Sequence, residues 1–270
     1  MSVALDSATA TRRLLINADD FGLHDDIDRG IVECALAGIV NSTSVCVMGE
    51  NVDWSLLNDL KRRGVRIGLH VTLVGEAWIS ADQHFKDWRK FVARLALKGR
   101  SLRQAVQTEV ETQLQWFQEK LGVDPDHVDS HQHVHLFKGA WEPCLDIARR
   151  LGVRLRVPIA RRANAKPGLA GAALQLLARR RAKELAATTS ARSLSCVGLA
   201  HAGHNTCTQL LEELRRDPSE AVEIVAHPGV STPSLQHTYA SWKFDWDAER
   251  AALLDPQFHA GLKMLGFAIR

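Results

Sequence analysis

Two adjacent carboxylates, Asp19 and Asp20, end an apolar run in the stretch Leu14–Asp26, LLINADDFGLHDD. Like charges side by side repel, so solvent, a helix N-terminus or a cation has to compensate them. Further along, His70 closes the run VRIGLH, and Asp129, His131, His133 and His135 form the pattern D-x-H-x-H-x-H. Arg156 precedes Pro158, His201 and His204 follow another apolar run, and His227 stands in A-H-P-G. Each has an ordinary structural alternative. The Asp pair could cap a helix, and the three alternating His could be one face of a strand. His227 could be a turn residue, Arg156 a surface ion pair and His70 a core residue. Taken together, Asp and His without Cys suit a divalent cation bound by nitrogen and oxygen, with open positions for water and substrate. Such an ion acidifies its water and polarises a carbonyl. One Asp of the pair could bind it while its neighbour takes a proton.

What could bring these residues together is a repeated alternation of elements. Short apolar runs at 12–17, 40–47, 65–70, 126–130, 153–157, 194–199, 221–226 and 264–269 predict buried strands. Helical spacing occupies 26–38, 51–62, 101–121, 140–151, 170–186 and 206–216, and Gly38, Gly64, Gly122 and Gly152 stand where helix C-caps are expected. The order predicts a parallel α/β fold of seven to eight strands, an irregular (β/α) barrel in preference to an open sheet. In either fold, active sites gather at the carboxyl ends of the strands, where the Asp, His and Arg residues fall. His24, Asp25 and Asp26 read as the polar start of the first helix. The interval 72–100 reads as a long loop or lid that shapes a pocket, together with the segment 160–190. Nothing marks a domain boundary, so residues 1–270 are expected to form one domain, with 1–11 a flexible N-terminus.

Composition narrows the function classes. The net charge of +3 arises from 34 basic and 31 acidic residues, which gives no argument for nucleic acid. The cluster Arg161, Arg162, Arg179, Arg180, Arg181 and Lys183 reads as a solvated helix face. Five Cys without a C-x-x-C suggest reduced thiols and a cytoplasmic chain. No signal peptide or integral membrane segment is expected. Seven Trp stand against a single Tyr; Trp78, Trp242 and Trp246 could stack on a sugar or plug the end of the barrel.

The motifs ADDFG, GLHVTL, VDSHQHVH, RVP and AHPG, in this order, resemble the YdjC-like (ChbG/HpnK) carbohydrate deacetylases, and the resemblance covers roughly 12–269. It implies a barrel related to the NodB-type polysaccharide deacetylases and a hydrolase that removes an N-acetyl group from an amino sugar. It further implies a divalent metal, magnesium or zinc first, held by Asp20, His70 and His131, with His133 as the alternative third ligand. By the same resemblance Asp19 is the catalytic base, His227 the acid that protonates the departing amine, and Arg156 orients Asp19 or the substrate. A backbone N–H near Thr72 is a candidate to stabilise the oxyanion. The partner is an N-acetylated amino sugar; a lipid-linked substrate would be met at a membrane surface, and the sequence leaves room for a homodimer. The rival readings are another metal-dependent sugar enzyme, such as an isomerase or a different amidohydrolase, and a non-catalytic metal- or sugar-binding protein.

Overall fold

The computed structural model describes residues 12–49, 52–97, 99–160, 169–188 and 193–269. The expected flexible segment 1–11 and the pair Arg161 and Arg162 lie outside the described residues. All eight expected strands are present: β1 (Arg12–Phe21), β2 (Ser42–Val45), β3 (Arg66–Val71), β4 (His127–Ser130), β5 (Arg154–Leu155), β6 (Ser195–Val197), β7 (Ala221–Ala226) and β8 (Phe267–Ile269). They pair in parallel in the order β5-β4-β3-β2-β1-β7-β6, with β8 added to β1. A parallel bridge between Ile159 and Ser195, where Cys196 N–H donates to Ile159 O at 2.8 Å, joins the chain beyond β5 to β6 and draws the two edges of the curled sheet together. The result is an irregular (β/α) barrel.

Helices α1 (Asp25–Leu36), α2 (Trp54–Arg62), α3 (Trp88–Leu97), α4 (Gly99–Leu121), α5 (Trp141–Leu151), α6 (Leu169–Thr188), α7 (Cys207–Arg216), α8 (Pro233–Thr238), α9 (Trp246–Leu254) and α10 (Pro256–Met264) connect the strands. His24 caps α1 by accepting from Asp26 N, as the polar stretch after Gly22 suggested. Gly152 ends α5 with φ 68°, the left-handed geometry that glycine adopts without steric cost. Among the described residues, no helix is long and apolar enough to cross a membrane.

Three sequence expectations change. The interval 72–100 is not a structureless loop. Its second half is α3, whose Phe91 and Leu95 are buried, and Trp78 is buried with its indole N–H on Leu73 O. The basic cluster is not uniformly solvated either. Arg179 and Arg180 are exposed, but Arg181 is buried, donates to Leu136 O at 2.8 Å and lies 5.1 Å over the Trp141 ring. Finally, β1 does not stop before the Asp pair but carries it. Its pairing with β2 slips between Ala18 and Phe21, a bulge that turns Asp20 to φ 73°.

Candidate active site

Sheet register assembles the site. His70 of β3 lies directly beside Asp129 of β4, and Ala18 beside Ala226, so the Asp pair of β1 meets His227 just past β7. Arg156 follows β5, its N–H held by Val128 O. The β1 bulge and the turn after β4 bring Asp20 and His131 to His70. One donor atom from each of the three lies within 4.8 Å of the others, and all three side chains are buried. Asp20 Oδ1 contacts His131 Nδ1 at 2.8 Å and His70 Nε2 at 3.2 Å.

A divalent cation fits this donor set. Asp129 Oδ1 engages His70 Nδ1 at 2.7 Å, which leaves Nε2 facing Asp20 as the nitrogen that could bind a metal, the carboxylate–histidine arrangement that orients metal ligands. Charge argues the same way. Burial disfavours a charged His70, yet Asp129, Asp20 and Asp19 outweigh it and push its pKa up to about 10. Burial likewise works against ionised Asp20, but His131 and His70 hold its carboxyl well below the usual range. The pocket is arranged to accommodate added positive charge.

Asp19 points the other way from its neighbour. Arg156 grips both of its oxygens, NH1 to Oδ2 at 2.7 Å and NH2 to Oδ1 at 2.8 Å, and Asn17 Nδ2 adds a third bond to Oδ1. Burial would raise the Asp19 pKa, but Arg156 prevails and keeps it below the ordinary value. The same guanidinium reaches Asp129 Oδ2 at 2.8 Å and, through Nε, Glu223 Oε1 at 2.8 Å, all without solvent exposure. Asp129 is completed by the Ser44 hydroxyl at 2.7 Å. One buried cation therefore ties Asp19 to the carboxylate that orients His70.

His227, just past β7, lines the same cavity as Asp19 and Asp20. Burial opposes its charged form, but Glu249 of α9, with Asp20 and Asp19 farther off, lifts its pKa to about 9. Glu249 accepts the His227 backbone N–H at 2.6 Å and the Asn205 side-chain amide at 2.7 Å, and its Oε2 lies 3.8 Å from His227 Nδ1.

Asp19, Asp20, His70, His131, His133 and His227 line a cavity of about 1300 Å³, walled further by Lys86–Arg89, by α6 from Gly171 to Arg179, and by Trp242 and Phe244. The interval 72–100 and the segment 160–190 thus both contribute to it, as expected. Arg156 sits behind the cavity rather than in it. His201 and His204 follow β6 without lining the cavity.

Local geometry separates several of the readings that the sequence left open. The segment His131–Leu136 is a tight helical turn, not a strand, so the three alternating His do not share a face. His131 enters the ligand group, whereas His135 is buried between Ser130 Oγ and Arg156 O. The Thr72 N–H is not free to bind an oxyanion, because Gln113 Oε1 takes it at 2.9 Å. Of the three Trp, Trp78 and Trp246 are core, and Trp242 alone faces the cavity, its ring 5.0 Å from that of His131.

Sequence reasoning singled out neither Glu223 nor Glu249. A lone acid inside the apolar strand AVEIVA was the available signal for Glu223, since a buried carboxylate demands a partner. Glu249 is one of several acids in the WDAER segment, and nothing in the spacing marks it.

A barrel closed around an Asp-His-His group at its strand ends defines a class, and the family model described as YdjC-like protein matches residues 13–264. The chain belongs to the YdjC-like family. It is 31% identical over 242 residues to a protein of Mus musculus named carbohydrate deacetylase, covering 80% of this chain and 78% of that one. With a chitooligosaccharide deacetylase of Escherichia fergusonii it shares 32% identity over 149 residues, 54% of this chain and 59% of that one, so the match spans under two thirds of that relative. In three dimensions it resembles a protein of Enterococcus faecalis V583 described as a candidate cellobiose-phosphate cleavage protein, with TM-score 0.71, 20% identity and 96% and 97% of the two chains covered. A peptidoglycan N-acetylglucosamine deacetylase shares the fold at TM-score 0.51, 8% identity and 95% and 85% coverage.

Proposed function

We propose that this YdjC-like protein is a metal-dependent carbohydrate deacetylase that hydrolyses the N-acetyl amide of an amino sugar. The observation that carries this reading is the convergence of Asp20, His70 and His131 beside a second, separately held carboxylate, Asp19. A structural metal site would need no such second carboxylate. The names of the mouse and Escherichia fergusonii relatives agree with the reading.

Asp20, His70 and His131 would hold the cation. Two imidazoles and one carboxylate suit zinc or a similar ion better than magnesium, which prefers oxygen ligands. When bound, the ion supplies Lewis acidity, polarising the amide carbonyl and acidifying water. Asp19 is the proton acceptor. Arg156 keeps it ionised and fixed, and Asp19 Oδ2 still has lone-pair capacity for the proton of the attacking water. His227, protonated at neutral pH, gives its proton to the amine nitrogen as the C–N bond breaks. Water thus contributes its hydroxyl to the acetyl carbon, and acetate and a free amine leave. Asp129 acts behind His70, holding its ring in the orientation and tautomer that present Nε2. The open cavity of about 1300 Å³ exceeds the roughly 300–1,000 Å³ of common small-ligand pockets and so has room for more than one sugar, as in an oligosaccharide or a lipid-linked glycan.

The test is acetate release from a panel of N-acetylhexosamine mono- and oligosaccharides, with chelator and with zinc or magnesium added back. Release that chelator abolishes and metal restores is the expected result. Release indifferent to chelator, or release from no member of the panel, contradicts the reading.

A further inference from the structure

The three imidazoles of VDSHQHVH have three different fates. His131 joins Asp20 and His70, and His135 has both ring nitrogens occupied, by Ser130 Oγ at 2.6 Å and Arg156 O at 2.9 Å. His133 does neither. It is outside both groups of candidate metal ligands found among the described residues, Asp20 with His70 and His131, and Asp19 with His70 and Asp129. It lines the cavity with Asp19 and His131, and its Nδ1 is shielded from solvent with no hydrogen-bond partner among the described residues. A shielded imidazole nitrogen without a partner is uncommon in folded proteins and calls for a specific explanation.

The backbone singles out the same residue. Gln132 and His133 both adopt left-handed geometry, φ 52° and 55°, although neither is glycine. Two consecutive side-chain-bearing residues in that region are strained, and such strain is retained where the surrounding structure requires it, often at binding sites. Here the turn sends His131 into the ligand group and leaves His133 on the cavity wall, two jobs that a straight strand would have given to one face.

We propose that His133 is a substrate-binding residue that hydrogen-bonds a ring hydroxyl of the acetylated sugar. The inference rests on the deacetylase reading. In that reading the acetamide carbonyl faces the Asp20, His70 and His131 group and its nitrogen faces His227, so the sugar hydroxyls are the polar groups still in need of partners. An imidazole can donate or accept, which suits a hydroxyl.

The test separates this proposal from that reading. Acetate release by the wild type tests the deacetylase reading alone. For His133, the binding of the N-acetylglucosamine disaccharide is measured by calorimetry in zinc-loaded Asp19→Asn protein and again with His133→Ala or His133→Gly added. Gly adopts left-handed backbone without steric cost, carries no side-chain hydrogen-bonding group, and serves if the Ala variant does not fold. The expected result is a Kd raised about tenfold or more, the scale of one lost hydrogen bond, with zinc content unchanged. Loss of zinc would make His133 a ligand, and an unchanged Kd would make it a structural residue; either result overturns the proposal, as does the absence of sugar binding before His133 is changed.

Discussion

In the proposed mechanism, the acid half of the chemistry depends on the pair of His227 and Glu249. Burial alone would leave the imidazole neutral, and the Glu249 carboxylate reverses that, raising the pKa to about 9. A group with a raised pKa carries its proton below that value and loses it as pH rises through it. Turnover should therefore fall on the alkaline side near pH 9. Replacing Glu249 with Gln keeps the shape and one of the two acceptor oxygens, which can stay on the Asn205 amides, but removes the charge, so the alkaline limb of kcat/KM should move down by about one unit or more. An unchanged limb in Glu249→Gln would remove His227 from the role of acid. Neither member of the pair was equally visible in the sequence. His227 stood out in A-H-P-G, whereas Glu249 lies 22 residues away on a helix and is brought in by the fold alone.

The elements were legible wherever apolar periodicity was strong. Eight strand runs and six helical segments fall where the patterning placed them, because buried parallel strands are short, continuous and β-branched. The pattern failed in two informative places. At β1 two carboxylates read as the end of a strand, although the backbone pairing continues through a bulge to Phe21. In VDSHQHVH the strand ends at Ser130, as expected, but the period-two alternation that offered one strand face as an alternative for the His is curled into a turn by left-handed residues, invisible to hydropathy. The first turn of α1 offers a test at this level. Asp28 accepts the Gly22 N–H at 2.7 Å just beyond the bulge, and burial, reinforced by Asp25 and Asp53, pushes its pKa up to about 7. A carboxyl whose folded pKa lies above its unfolded value loses stability as pH rises between the two, from about 4 to about 7. Asp28→Asn preserves the acceptor and removes that loss. Its Tm should exceed wild type by several degrees at pH 8, on the order of 1 kcal/mol or more, and match it near pH 4. A variant less stable than wild type at pH 8 would show that the charged form is the one the fold uses.

Over the whole molecule, the barrel gathers side chains from β1, β3, β4, β5 and β7 around Arg156. Its guanidinium holds Asp19 and Asp129 on one side and Glu223 on the other, so the proposed proton acceptor and the support of His70 share one fixed point. Charges buried this completely are stable only as a neutralised, hydrogen-bonded set, and the removal of one member leaves the others uncompensated. The sequence could name Asp19, Asp20, His70 and Arg156 as a set at the strand ends, and its family resemblance proposed a division of labour between the adjacent carboxylates, but not the bulge that turns Asp20 to His70 and His131 while Arg156 holds Asp19. That division is the central claim. Its most direct measurement is bound metal and acetate release, side by side, in Asp19→Asn and Asp20→Asn. The account predicts that Asp19→Asn keeps about one ion per chain while turnover falls by roughly 10²–10⁴, and that Asp20→Asn loses the ion itself. Near-wild-type turnover in Asp19→Asn, or full metal content in Asp20→Asn, would contradict it.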